Sequence, residues 1–119
     1  MVKNGRVLIA LGIVLLLAAC ASQRTDRAIA YNNFRDGDYA DTISWIRRTE
    51  SRGDVTPELR AELTYLEARS LDGMGEYARS EELYAYLVER HADSRYSYLA
   101  RGRLAGGIES PTDPSSARP

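Results

Sequence analysis

One cysteine and one histidine are all this 119-residue chain holds of those two residues. A four-ligand Cys/His zinc site cannot be assembled from that pair, and no disulfide can close within the chain. Proline is scarce, and Trp and Phe occur once each. Neither charge dominates: 16 Lys+Arg stand against 17 Asp+Glu, a formal −1, so no strongly basic face points to nucleic acid. No stretch alternates apolar and polar residues long enough to make a strand. A glycine-rich phosphate loop is missing too, because Gly73-Met74-Gly75 reads as a turn between helices with no strand before it. The length leaves room for one small domain and excludes a large multidomain enzyme.

What the chain does have begins at its N-terminus. Lys3 and Arg6 precede Val7–Ala19, thirteen residues without charge and almost wholly aliphatic. A spanning helix needs ~20 such residues, whereas the apolar core of a secretory signal needs ~7–15. The run closes on Leu17-Ala18-Ala19-Cys20. Small residues there let an extended backbone enter a protease cleft, and a thiol readily forms a thioether. This tetrapeptide resembles the lipobox of bacterial lipoproteins. The resemblance implies a signal peptide over residues 1–19, cleavage before Cys20, and fatty acylation of Cys20 as the chain's one covalent lipid, with no other cofactor. A plain cleaved signal and an uncleaved anchor are the other readings of the stretch. Two or three acyl chains anchor stably where one does not, since each buried methylene contributes ~0.8 kcal/mol. Ala21 follows the cysteine where an Asp marks inner-membrane retention in that family, so the resemblance implies a lipid-anchored protein on the periplasmic face of the outer membrane. Residues 20–24 form the lipidated terminus and a short tether. Extended, the four residues after Cys20 reach ~14 Å at most.

The remainder repeats itself. Gly37-Asp38-Tyr39-Ala40 returns as Gly75-Glu76-Tyr77-Ala78, 38 residues later, and Ala30 and Ala68 each stand seven residues before the glycine. A glycine can take the left-handed conformation that ends a helix. The phrase therefore predicts two helix–turn–helix units, each with a tyrosine opening the second helix and packing its ring back across the pair. The first helix spans about 25–35, with Ala28, Ala30, Tyr31 and Phe34 as its apolar stripe, and the second about 39–50, with Ile43, Trp45 and Ile46. Thr56-Pro57-Glu58 combines a cap, a first-turn proline and a favourable acid. It starts a third helix to about Leu71. The fourth spans 76–90, and Asp93 or Ser94 caps a fifth to about Ala105. Residues 106–119 are rich in Pro, Ser and Asp and lack the apolar content to pack, so they read as a disordered tail.

The pattern over residues 24–105 resembles the tetratricopeptide repeat. Ala68, Gly75, Tyr77, Ser80 and Tyr84 match the second unit, and Ala30, Gly37, Tyr39, Thr42 and Ile46 the first. Gly102 stands where a third unit has its small residue. The usual tryptophan is replaced by Asp26 and Thr64, and the period exceeds the usual ~34 through a longer loop at Gly53. The resemblance implies an all-α fold: a short right-handed helical-hairpin solenoid over 25–105, of two repeats plus a capping helix with a solvated outer face. Arg90-His91-Ala92-Asp93-Ser94-Arg95-Tyr96 is also similar to a stretch of envelope repeat proteins.

A nucleophilic triad would need His91 as its base, and His91 ends a helix, where the dipole favours an imidazole. Glu58, Glu62, Glu76, Glu81, Glu82 and Glu89 read as solvated faces with Arg neighbours. What remains is a recognition surface. By position in the repeat, the resemblance places Arg27, Tyr31, Phe34 and Arg35 from one unit and Glu62, Tyr65, Arg69 and Asp72 from the other on an inner groove. Tyr and Arg suit binding hot spots, although Tyr31, Phe34 and Tyr65 would equally suit a core between helices. The expectation is a non-enzymatic adaptor that binds another envelope protein or a peptide segment. An enzyme or accessory subunit acting on peptidoglycan through Glu62 and Asp72 is a second reading. A third is a lipid-facing structural protein, with Arg24, Arg27 and Arg35 near the anchor.

Overall fold

The computed structural model describes the backbone of residues 2–106 and the side chains of 3–17 and 24–106. Its described elements are five α-helices: α1 (Val2–Asp36), α2 (Tyr39–Ser51), α3 (Pro57–Gly73), α4 (Tyr77–Arg90) and α5 (Arg95–Ala105). No strand occurs among the described residues. Four of the five match the expected spans to within two residues.

The first does not. Instead of beginning near Thr25, α1 runs back to Val2, so residues 20–24 continue a helix and are not an extended tether. The physical reason is local: no glycine or proline lies between Gly12 and Gly37 to break the helix. The side chain of Cys20 and the tail 107–119 lie outside the described residues.

The repeated turn has the same geometry in both copies. Gly37 and Gly75 have φ of 85° and 76°. Asp38 N–H donates to the Asn33 carbonyl at 2.8 Å, and Glu76 N–H to the Leu71 carbonyl at 2.9 Å. These are the six-to-one bonds of a Schellman cap. The positions that follow also agree. Thr42 and Ser80 are fully buried, their hydroxyls donating at 2.9 Å to the carbonyls of Asp38 and Tyr77. Ile46 and Tyr84, also 38 residues apart, are both fully buried. An added Cβ at Gly75 would meet open space. Gly75→Ala therefore isolates backbone strain and should destabilise by ~1–2 kcal/mol. Gly102→Ala, at a helical and open position, should instead stabilise by ~0.4–1 kcal/mol. Urea unfolding of both variants checks the pair.

The caps are as read. Thr56 Oγ1 accepts from Leu59 N–H at 3.2 Å, with Pro57 in the first turn. Ser94, not Asp93, caps α5 by accepting from Tyr96 N–H at 3.2 Å.

α3 is the centre of the domain. One of its faces joins Leu63 and Leu66 to Ala30 of α1 and Ile46 of α2. The other joins Ala61 and Ala68 to Tyr84 and Leu87 of α4 and Ala100 of α5. The two clusters share no helix except α3, which also reaches beyond its neighbours in sequence, to Arg27 and Tyr31 of α1 and to Arg103 of α5. Tyr39 of α2 lies across α1 and α3. Its ring rests against Gly73, where a Cβ would collide with it, and meets Phe34 edge-on at 5.6 Å. Two details depart from expectation. Ala28 is exposed. Gly102 is exposed as well, and Ser97 and Ala100 are the small residues buried on α5. The outer side of α5 is not fully polar either: Tyr98 is 75% exposed, with Leu99 and Leu104 more than a third exposed.

Candidate functional site: the face shared by α1, α3 and α5

Three of the eight groove residues meet directly. Tyr31 Oη donates to Glu62 Oε1 at 2.8 Å, and Arg27 Nη1 reaches Glu62 Oε2 at 3.3 Å. Tyr31 and Arg27 stand one turn apart on α1, so their side chains overlie each other and converge on one carboxylate. The Glu62 side chain is only 12% exposed. It was expected on a solvated face. The correction follows from the central place of α3, which leaves little of its surface free. Burial, reinforced by the bond to Glu62, holds the Tyr31 phenol well above its usual range. Tyr31 therefore acts as a hydrogen-bond donor.

Tyr96 of α5 completes the cluster. Burial and the Glu62 charge raise its pKa. Its ring lies 5.7 Å from Tyr65, which lies 5.9 Å from Tyr84. Tyr65 is thus partly core and partly face. Phe34 and Arg69 form a second pair, the guanidinium 5.7 Å from the ring centre, and Phe34 also packs on the core.

Two of the eight belong elsewhere. Arg35 is exposed at the end of α1 and pairs with its neighbour Asp36 at 3.6 Å. It lies eleven residues beyond Arg24, ~16 Å along the helix. Asp72 turns away from the open face. It accepts from Tyr84 Oη at 2.6 Å and from Arg103 Nη2 at 3.0 Å. With its side chain 9% exposed, it ties α4 and α5 to α3. Ten residues of α3, ~15 Å of helix, separate Glu62 from Asp72. The two do not form the paired carboxylates, ~5–9.5 Å apart, that glycoside hydrolysis uses. Among the described residues, no group of three His, Cys, Asp or Glu side chains converges as a metal site.

Sequence reasoning missed Tyr96 and Arg103. Their partners Tyr65 and Asp72 stand on α3, 31 residues earlier in each case, so no local spacing marks them.

On the opposite side, a groove of about 220 Å³ lies between α2, α3 and α4, lined by Glu50, Arg60, Thr64, Glu67, Leu83 and Tyr86. Burial and the neighbouring Glu67 raise the pKa of Glu50. A carboxyl raised in the folded state favours folding while protonated and loses that contribution as pH rises through its folded pKa. Glu50→Gln should therefore melt slightly above the wild type at pH 7. The gap should close as pH falls through the carboxylate range, as thermal melts at several pH values would record.

No protein-family model matches this chain, and no curated protein or solved structure matches it significantly. Among the described residues, no helix is long and apolar enough to cross a membrane.

Proposed function

We propose that this chain is an envelope lipoprotein acting as a protein-interaction adaptor. In this reading residues 1–19 are removed and Cys20 is acylated. A tetratricopeptide-like pair of repeats with a terminal helix is then held at the periplasmic face of the outer membrane. The partner is a segment of another envelope protein, received on the face shared by α1, α3 and α5.

The observation that carries the reading is the exposure of the start of α1. Nine large aliphatic side chains between Val7 and Leu17 are each more than half exposed. Burying such a side chain contributes ~1.5–3 kcal/mol, roughly 15–25 kcal/mol for nine. That exceeds the ~5–15 kcal/mol by which a whole domain is stable. The stretch therefore calls for an apolar environment outside the domain, and it leads directly to Leu17-Ala18-Ala19-Cys20. The inner face supports the second half of the reading. Arg27 and Tyr31 remain 51% and 39% exposed, and that pairing of residue types is favoured where proteins bind.

A photo-crosslinking residue placed at Tyr31 tests the adaptor role in intact cells, with Glu82 on the exposed side of α4 as the reference. Discrete, reproducible adducts at position 31 and none at 82 are expected. No adduct at any inner-face position would contradict it.

A further inference from the structure

We infer that one end of the helical domain docks on an anionic phospholipid leaflet, standing the helices on the membrane with the inner face open sideways. The inference rests on the lipoprotein reading. It adds which surface meets lipid.

Connectivity decides which end is near the anchor. Short turns make neighbouring helices antiparallel, so the domain's entry into α1, the end of α2, the start of α3, the end of α4 and the start of α5 share one end. Two contacts tie it together: Arg52 pairs with Asp26, and Ser94 Oγ donates to Glu58 Oε1 at 3.2 Å. Asp26 is six residues after Cys20. That is ~9 Å as helix and ~20 Å at full extension. The opposite end lies ~25 Å further away, the length of α3. At physiological salt, charge acts over ~8 Å, so only the near end can feel the headgroups.

The charges are distributed to match. Over residues 24–28, 46–61 and 86–96, at the near end, eight arginines face six acids. Over 35–42, 68–83 and 100–106, at the far end, five arginines face seven acids. Arg24, Arg48, Arg90 and Arg95 are exposed at the near end. Arg48 lies over Trp45 at 5.1 Å and Arg95 over Tyr96 at 5.4 Å. Basic residues are drawn to an anionic leaflet. Arg27 and Arg47 do not belong to this surface, because they are committed to Glu62 and Glu67; without them six arginines stand beside six acids at the near end, against five and seven at the far end.

Trp45 is the only tryptophan and serves as the reporter. It lies six residues before the end of α2, ~9 Å. The acylated protein is purified from membranes and its lipid verified by mass spectrometry. It is then placed in nanodiscs carrying headgroup-nitroxide lipid, with or without phosphatidylglycerol in a phosphatidylcholine background. A far-end reporter is made as Trp45→Phe with Tyr77→Trp. Trp45 should be quenched more strongly with phosphatidylglycerol than without. The gain should disappear in ~1 M salt, where charge acts over ~3 Å. It should disappear equally in Arg48→Glu/Arg90→Glu/Arg95→Glu, while Trp at 77 stays unquenched throughout. Equal quenching at the two ends, or no gain from phosphatidylglycerol, overturns the inference alone. A mass spectrum without acyl groups on Cys20 overturns the lipoprotein reading and the inference with it.

Discussion

Tyr84→Ala should cost ~3–5 kcal/mol and leave the domain largely unfolded at 37 °C. Tyr84 is fully buried against α3 and α5, so truncation opens a cavity in the cluster that binds the second pair of helices to the terminal one. Its hydroxyl also donates to Asp72, which anchors Arg103. The alanine variant therefore loses packing and a polar tie together. Tyr84→Phe separates them: only the hydrogen bond is removed, at ~1–3 kcal/mol for an acceptor that is charged and buried. Burial is also what holds the Tyr84 phenol above its usual range, so it remains the donor at neutral pH. Urea unfolding monitored by circular dichroism reports both values.

Ile46→Ala should cost ~2–5 kcal/mol by the same cavity argument. Ile46 is fully buried where α2 meets Ala30 of α1 and Leu63 and Leu66 of α3. The two core clusters share only α3, so the location of the damage should differ. Hydrogen exchange in Ile46→Ala should rise first in α1 and α2, and in Tyr84→Ala first in α4 and α5. Loss of protection spread evenly over all five helices in both variants would mean that the halves fold as one unit and not as neighbours in series.

Much of the fold was legible because its punctuation is local. Gly37 and Gly75 end helices in a conformation that glycine adopts freely, and Thr56-Pro57 starts one with its own side chain and ring. Those features are decided within a few residues, and the structure follows them. The start of α1 was misjudged for a related reason. The sequence changes character at Cys20, from membrane-like to soluble, but a change of polarity is not a helix breaker. Ala21-Ser22-Gln23-Arg24 continues the helix without obstacle.

The inner face was only half legible. Helical spacing places Arg27, Tyr31 and Phe34 on one stripe, and it places Arg69 one turn beyond Tyr65. Which carboxylate they meet depends on how α1 lies against α3, with 31 residues between Tyr31 and Glu62. Asp72 shows the limit most clearly. Its spacing matches the open face, yet Arg103 and Tyr84 draw its carboxylate inward. Those partners arrive from two later helices, and no periodicity within α3 records them. Arg35 was misassigned because stripe position does not record that the end of α1 leaves this side chain in solvent, paired with Asp36.

The central claim is a lipid on one thiol. Cells supplied with a clickable fatty acid should incorporate it into the wild-type chain and not into Cys20→Ala. Mass spectrometry of the labelled protein should find an N-terminal peptide that begins at Cys20 and carries its acyl chains. A full-length chain with Met1 retained and a free thiol, recovered from the soluble fraction, would contradict the account.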